Sequence, residues 1–264
     1  MVQFLFSLEA KTNNLDAKTL LKAWQNYKVI HIRIQDLTPD NVLEYYNRLL
    51  PQISTPYALA EDVKVGDRTQ QRTGKIWMEI RYDSNYPDAY RHSANAQPLH
   101  TDGSYVSGFP NASFMCCVAN ASQGGETVFL DSELLVKILQ EEDPNLLSNL
   151  QEITIPHARS GDRRNLPVLR HEQGSWRVNW NYYCVDPDID ASVLKLRETF
   201  QQFLLNSPGV RKGLVPIKLQ PGDAVVWKDE ELLHGRNAFT AHTASERFLW
   251  KCALDVGVFA GVLV

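Results

Sequence analysis

Along residues 1–50 the spacing of apolar positions changes period twice. Leu20, Leu21 and Trp24 share one helical face behind Asp16, which reads as a helix cap. Ile30, Ile32 and Ile34 then alternate with His31 and Arg33, the period of a half-buried strand. Thr38-Pro39 opens a second helix carrying Leu43, Tyr46 and Leu50, with proline tolerated in its first turn. The polar stretch from about Glu61 to Gly74 reads as a loop. From Trp77 onward the pattern turns to strands: IWMEIRY, ASFMCCVAN and GETVFL, the last two separated by the turn SQGG. One helix, SELLVKILQEE, precedes a strong strand signal in WRVNWNYYCV. A further helix runs from an Asp190 cap, with Val193, Leu196, Phe200 and Leu204 on one face. The chain ends in LVPIKL, a Pro221-Gly222-Asp223 turn, AVVWK and ERFLWKCALDV. Many strands and few helices, with no repeat and no low-complexity linker, predict a mainly β fold with flanking helices around a double-sheet jelly-roll core. The expected organisation is one domain over 1–264. A helix-strand-helix unit at 15–50 packs on a core of about 77–258.

Composition narrows the function classes. Hydrophobic residues make up 44% and charged residues 22%, ordinary for a globular chain with a core. The net charge of −4 provides no basic field for nucleic acid, so no nucleic-acid partner is expected. The apolar run Val2–Phe6 lacks a basic flank and is short for a signal peptide. No apolar stretch approaches the roughly 20 residues that span a bilayer, so no membrane partner is expected either. The four cysteines, Cys116, Cys117, Cys184 and Cys252, match neither a zinc spacing nor a disulfide framework. They read as buried thiols of a cytoplasmic protein.

The candidate chemistry begins in LHTDGSY. His100 and Asp102 stand two apart in a strand context, and alternate strand residues share a face, so both can point into one barrel. Alone, the pair is equally well a surface pair or a His–Asp hydrogen bond. A metal would need a third ligand. The other histidines are His31, His92, His157, His171, His234 and His242. His234 stands out, because it follows the strand AVVWK near the last strands, and strands distant in sequence can be neighbours in a closed barrel. Two histidines and one carboxylate form the facial triad of non-haem Fe(II) oxygenases.

Four elements in order then carry a resemblance: LHTDGSY, GGETVF, LLHGRNAF and ERFLWKC. From about residue 97 to 255 the chain resembles the TauD/TfdA (taurine dioxygenase-like) family of Fe(II)/2-oxoglutarate-dependent dioxygenases, and YKVIHIRI extends the likeness loosely into the N-terminal third. The resemblance implies Fe(II) held by His100, Asp102 and His234. It implies 2-oxoglutarate held by Thr127, 27 residues after His100, and Arg247, 13 residues after His234. The chemistry suits those residue types. Arginine offers a planar fork for a carboxylate, and threonine offers a hydroxyl donor. Read without the family, Thr127 is equally a strand former, whereas Arg247 as a partner of Glu246 is the weaker reading, because it opens the otherwise apolar strand FLWKCAL. The chain departs from the family in having Asp229-Glu230 where an Asp-Asn pair often precedes the distal histidine. The carboxylate at Asp102 argues against a halogenase, since related halogenases carry a small residue there.

The implied reaction consumes O2 and 2-oxoglutarate and yields succinate and CO2 while a C–H bond of a small molecule is hydroxylated or desaturated. Arg159, Arg163, Arg164 and Arg170 lie in a segment that could clamp an anionic substrate or be a solvated basic loop. Tyr105, Arg81, Tyr90, Arg91 and Arg170 are the candidates for the substrate side, and the expected substrate is a small polar, amino-acid-derived metabolite. Trp180 and Tyr182 read as core packing, and Arg236 as structural. Homo-oligomerisation is left open. Two rival readings remain: a cupin-type metal barrel acting without 2-oxoglutarate, against which Thr127 and Arg247 speak, and a non-catalytic binding module, against which the complete ligand set speaks.

Overall fold

A computed structural model describes residues 2–61 and 72–257, so most of the polar stretch 61–74 lies outside the described residues. In chain order the elements begin with β1 (Gln3–Ala10), α1 (Ala17–Asn26), β2 (Tyr27–Ile34), α2 (Val42–Leu49), β3 (Ser54–Tyr57) and β4 (Met78–Arg81). There follow β5 (Gln97–His100), β6 (Ala112–Ala119), β7 (Thr127–Asp131), α3 (Ser132–Glu142) and α4 (Pro144–Glu152). Next come β8 (Thr154–Arg159), β9 (Asp162–Pro167), β10 (Leu169–Glu172), β11 (Ser175–Val178), α5 (Ala191–Asn206) and α6 (Pro208–Gly213). The last four are β12 (Val215–Ile217), β13 (Ala224–Lys228), β14 (Leu232–Arg236) and β15 (Phe248–Val256).

The larger sheet runs β1-β2-β13-β6-β15-β3, with β4 also on β15, and the smaller runs β12-β7-β14-β5. Apart from the parallel pair β1–β2, the strands of both sheets pair antiparallel. Side-chain alternation explains the long apolar runs of β6 and β13. Met115, Cys117, Val225 and Trp227 meet Phe129 and Leu232 of the smaller sheet in a shared core. Phe114, Cys116, Ala224 and Val226 point the other way, onto Leu20, Val42 and Tyr46 of the N-terminal helices. With both faces covered, apolar residues are favoured at every position. A third cluster, with Trp180 and Phe200 at its centre, packs α3–α6 on the outside of the smaller sheet through Leu130 and Leu233. This is the jelly-roll core with flanking helices that the pattern predicts.

The N-terminal unit differs from expectation. Its strand β2 belongs to the larger sheet, with Ile32 opposite Ala224, so the unit continues the core rather than resting on it. The strand β1 is an addition: its burial alternates between exposed and half-buried, too weak a signal to read from sequence. Asp16 caps α1 through Thr19 N–H at 2.7 Å, as predicted. Asp190 holds the N-cap position of α5 but makes no capping hydrogen bond. The α4 helix was not foreseen; Asp143 caps it through Leu146 N–H at 3.0 Å, with Pro144 in its first turn. WRVNWNYYCV is a strand only to Val178. Beyond it Thr101 N–H donates to Trp180 O, and Asn181 accepts Tyr183 N–H at 3.2 Å to start a 3-10 turn. An asparagine side chain competing for backbone donors ends the ladder there. All four cysteines are buried thiols. Among the described residues no helix is long and apolar enough to cross a membrane.

Candidate metal and cosubstrate site

The smaller sheet brings the two histidines together. In β14, which lies between β5 and β7, His234 stands opposite His100 on one side and Phe129 on the other. The β5–β14 register shifts between His234 and Arg236, and Gly235 sits at that irregularity. A Cβ on Gly235 would lie 2.7 Å from Gln97 O, so only glycine lets the two strands approach this closely. The imidazole centroids of His100 and His234 are 4.2 Å apart. Asp102, just beyond β5, completes the group: its carboxylate oxygens are 3.8 Å from His100 Nε2 and 3.6 Å from His234 Nε2. One ligand atom from each of the three lies within 4.8 Å of the others.

The surroundings suit a metal. His100 Nδ1 is 2.9 Å from Pro98 O, a hydrogen bond that keeps the proton on Nδ1 and turns the Nε2 lone pair toward the site. His234 is 4% exposed, yet neither ring nitrogen has a hydrogen-bond partner. Buried polar atoms are rarely left unpaired, and a metal at Nε2 would satisfy one of the two. Burial, and for His234 also the neighbouring His100, pushes both imidazoles below their ordinary pKa and keeps them in the neutral, ligating form. Burial opposes ionisation of Asp102, but Lys251 and the two imidazoles outweigh it and hold the carboxyl well below its usual range. Lys251 Nζ is 2.5 Å and Ser113 Oγ 2.7 Å from Asp102 Oδ2, leaving Oδ1 without either contact.

The cosubstrate candidates lie in the same cavity, which encloses about 490 Å³. Thr127 opens β7 and is 4% exposed. Arg247, just ahead of β15, is 1% exposed, and its Nε and Nη1 have no partner. Its guanidinium lies 4.8 Å from the Phe239 ring centroid, and burial lowers its pKa to about 10, still charged at neutral pH. Glu246 faces away, accepting the His242 N–H at 3.0 Å. A buried cation with open donors in a cavity is a site built for an anion. The SQGG turn shapes its wall. Gly124, at φ +72°, would place a Cβ 1.9 Å from Ala238 O, and Gly125 would place one 3.3 Å from Arg247 Nε.

The substrate-side candidates divide. Tyr105, Tyr90 and Arg91 line the cavity, and so does Tyr182, which also packs against the Trp180 cluster as expected. Tyr105 OH donates to the buried Glu61 at 2.6 Å; the same carboxylate takes Ser160 Oγ at 2.8 Å and Arg159 Nε at 3.0 Å. Arg81 and Arg170 do not line the cavity among the described residues. The Arg81 guanidinium stacks 3.9 Å from the Phe248 ring centroid. Arg170 pairs with Glu172 at 2.7 Å and Glu230 at 3.0 Å, while Arg164 pairs with Glu230 and Arg163 with Asp186. Of the arginine segment, only Arg159 reaches the cavity; the others hold the protein's own carboxylates. Arg236 is structural, as expected, donating to Tyr90 O at 2.7 Å and Ser93 O at 2.9 Å and so anchoring the segment at the mouth. Lys251, Ser113 and Glu61 were not anticipated. A lysine interrupting the apolar strand FLWKCAL, an even number of residues after Arg247, was the available signal for the first.

The sequence pattern of the taurine catabolism dioxygenase TauD, TfdA family matches residues 5–253. The chain is 26% identical over 185 residues to dioxygenase str8 of Strobilurus tenacellus, spanning 66% of this chain and 42% of that protein. It is 27% identical over 173 residues to the uridine-5'-phosphate dioxygenase of a Streptomyces species, spanning 61% and 62%. It thus spans less than two thirds of the length of these curated relatives. Among solved structures, PvcB from Pseudomonas aeruginosa superposes with a TM-score of 0.63 at 18% identity, over 96% of this chain and 86% of that one. PvcB is described as an Fe, alpha-ketoglutarate dependent oxygenase from an isonitrile synthetic pathway. An asparagine oxygenase in complex with Fe(II), 2S,3S-3-hydroxyasparagine and succinate gives 0.59 at 12% identity, over 90% and 83%. These structures share the fold. With the family pattern matched across nearly its whole length, the chain belongs to the TauD/TfdA family of Fe(II)/2-oxoglutarate-dependent oxygenases.

Proposed function

We propose that this oxygenase binds Fe(II) through His100, Asp102 and His234, anchors 2-oxoglutarate with Thr127 and Arg247, and oxidises a C–H bond of a small polar, amino-acid-derived metabolite. The observation that carries the reading is the pairing in one cavity of three ligand atoms within 4.8 Å with a buried arginine whose Nε and Nη1 have no partner. When bound, iron and 2-oxoglutarate supply the oxidation: O2 and 2-oxoglutarate become succinate and CO2 as the substrate is hydroxylated, or desaturated with release of water. The chain's residues do the rest. His100 and His234 present neutral nitrogens, and Asp102 an ionised oxygen held in place by Ser113. Arg247 meets the far carboxylate of 2-oxoglutarate with its fork while Thr127 donates a hydroxyl. The Phe239 ring screens this guanidinium from water.

For the substrate, the cavity carries both signs of charge outside the cosubstrate site. Glu61 and Arg159 stand beside Tyr105, and Lys251 beside the ligand Asp102. These charges are paired with one another, so the cavity offers a substrate a polar lining of tyrosine hydroxyls and ion pairs, which supports a small polar metabolite. The asparagine oxygenase among the fold relatives agrees with this class.

The test is anaerobic addition of Fe(II) and 2-oxoglutarate to metal-free protein, reading the visible absorption band of the chelated cosubstrate. The band is expected in the wild type, absent in His100→Ala and weaker in Arg247→Ala. A folded wild type with no band overturns the cofactor assignment. Succinate release over a panel of amino acids and neutral analogues then tests the substrate class; turnover only with uncharged compounds would overturn it.

A further inference from the structure

Between β13 and β14 a single 3-10 turn, Asp229–Glu231, carries three consecutive carboxylates, and they face different ways. Asp229 is fully buried, 0% exposed. Its Oδ1 accepts the Asp102 N–H at 3.2 Å and the Trp227 indole N–H at 3.3 Å, and lies 3.9 Å from His234 Nδ1. Its other oxygen, Oδ2, is buried with no partner, and so is His234 Nδ1. The two histidines of the triad therefore differ behind the site. His100 has its Nδ1 held by Pro98 O at 2.9 Å, whereas His234 has no such partner and a carboxylate in reach.

We infer that Asp229 is a positioning residue shared by two metal ligands, holding the Asp102 backbone through its N–H and receiving the Nδ1–H of His234 when a metal occupies Nε2. The inference rests on the metal site of the proposed function. A neutral imidazole carries one ring proton, so an acceptor behind Nδ1 selects the tautomer whose Nε2 lone pair faces the metal and fixes the ring plane. Both duties fall on the same oxygen, Oδ1; a carboxamide keeps one such oxygen but puts a buried NH2 donor where Oδ2 has no partner, which favours a turned side chain and loosens both contacts.

The outer face of the turn is built to keep Asp229 where it is. Glu230 is gripped by Arg164 of β9 and by Arg170 of β10, the latter at 3.0 Å, and Glu231 by Arg177 of β11 at 2.8 Å. Two hairpins of the chain thus brace, through three guanidiniums, the turn that leads directly into the strand bearing His234. This accounts for arginines that the cavity does not use.

The test is an anaerobic competition titration of Co(II) against a colorimetric chelator, with the Co(II) ligand-field spectrum recorded on the loaded protein. It compares wild type, Asp229→Asn and Glu230→Gln, and needs neither substrate nor turnover. Asp229→Asn is expected to bind Co(II) at least about tenfold more weakly and to change the ligand-field band, while the metal-free protein melts close to wild type. Glu230→Gln, on a partly exposed side chain, is expected to shift affinity the same way by a smaller factor and so tests the turn if Asp229→Asn does not fold. Affinities within about twofold of wild type would overturn the inference. A wild type that takes up no Co(II) would overturn the metal-site reading itself, and this inference with it.

Discussion

At the scale of single residues, the site works by leaving the right atoms unpaired. Arg247 is the clearest case, a guanidinium 1% exposed whose Nε and Nη1 meet no protein acceptor. Hydrogen bonds to charged groups contribute about 1.5–3 kcal/mol, so losing this contact costs one to two orders of magnitude in affinity. Arg247→Met is therefore expected to weaken 2-oxoglutarate binding about 10- to 100-fold in an anaerobic absorbance titration. Metal affinity should stay near wild type, because the guanidinium touches none of the three ligands. A parallel loss of both would show that the substitution disturbs the barrel rather than the cosubstrate contact. This residue was legible in sequence as an arginine opening an apolar strand; its lack of a partner was not, since the local sequence does not show that Glu246 beside it turns to His242.

At the scale of elements, the decisive contact is the close approach of β5 and β14. Adding a methyl at Gly235 would push it to 2.7 Å from Gln97 O, on the strand that carries His100. Overpacking of this kind costs about 1–3 kcal/mol. Gly235→Ala is expected to lower Tm by several degrees, at about 2–4 °C per kcal/mol, and to weaken metal binding as His100 moves. Calorimetry and a Co(II) titration on the same sample check both halves; an unchanged Tm would refute the packing argument. The strands themselves were legible from alternation, and α1 and its Asp16 cap from the helical period. Two signals failed for physical reasons. The tail of WRVNWNYYCV has strand composition, but the strand stops at Val178 and Asn181 Oδ1 accepts the Tyr183 N–H to start a 3-10 turn instead. The arginine-rich stretch has the composition of an anion clamp, but nearby carboxylates such as Asp186 and Glu230, remote in sequence, claim most of it.

At the scale of the whole molecule, stability is tied to pH and to metal. His157 is 0% exposed, close to Asn179, and burial lowers its pKa to about 4 from 6.5. The unfolded chain therefore binds a proton between those values that the folded chain does not. Stability from this group is complete above about pH 6.5 and falls as pH drops toward 4, with a slope of up to about 1.4 kcal/mol per pH unit. Denaturant melts of wild type and His157→Gln across pH 4–7 check this: the variant is expected to be less stable at pH 7 and to show a flatter profile. Metal acts in the opposite sense. A ligand bound only by the folded state at about 1,000 times its Kd adds about 4 kcal/mol. Co(II) is thus expected to raise the Tm of wild type and to leave Asp102→Ala unmoved.

The sequence by itself determined the class of fold and singled out the candidate reactive groups, because strand period, turn glycines and a His-x-Asp spacing are local properties of the chain. It also placed Thr127 and Arg247 at family distances from the two histidines. What only the tertiary structure decided is which groups meet. His234 stands opposite His100 beside a register shift that Gly235 permits, Lys251 and Ser113 converge on Asp102 from two different strands, and Asp229 lies behind the candidate ligands while its neighbour Glu230 turns to Arg164 of β9 and Arg170 of β10. Arg81 and Arg170 have the right chemistry for a substrate but stand outside the cavity. Such outcomes depend on contacts between residues far apart in the chain, and pairwise packing and charge at close range, not residue type, select among the partners available.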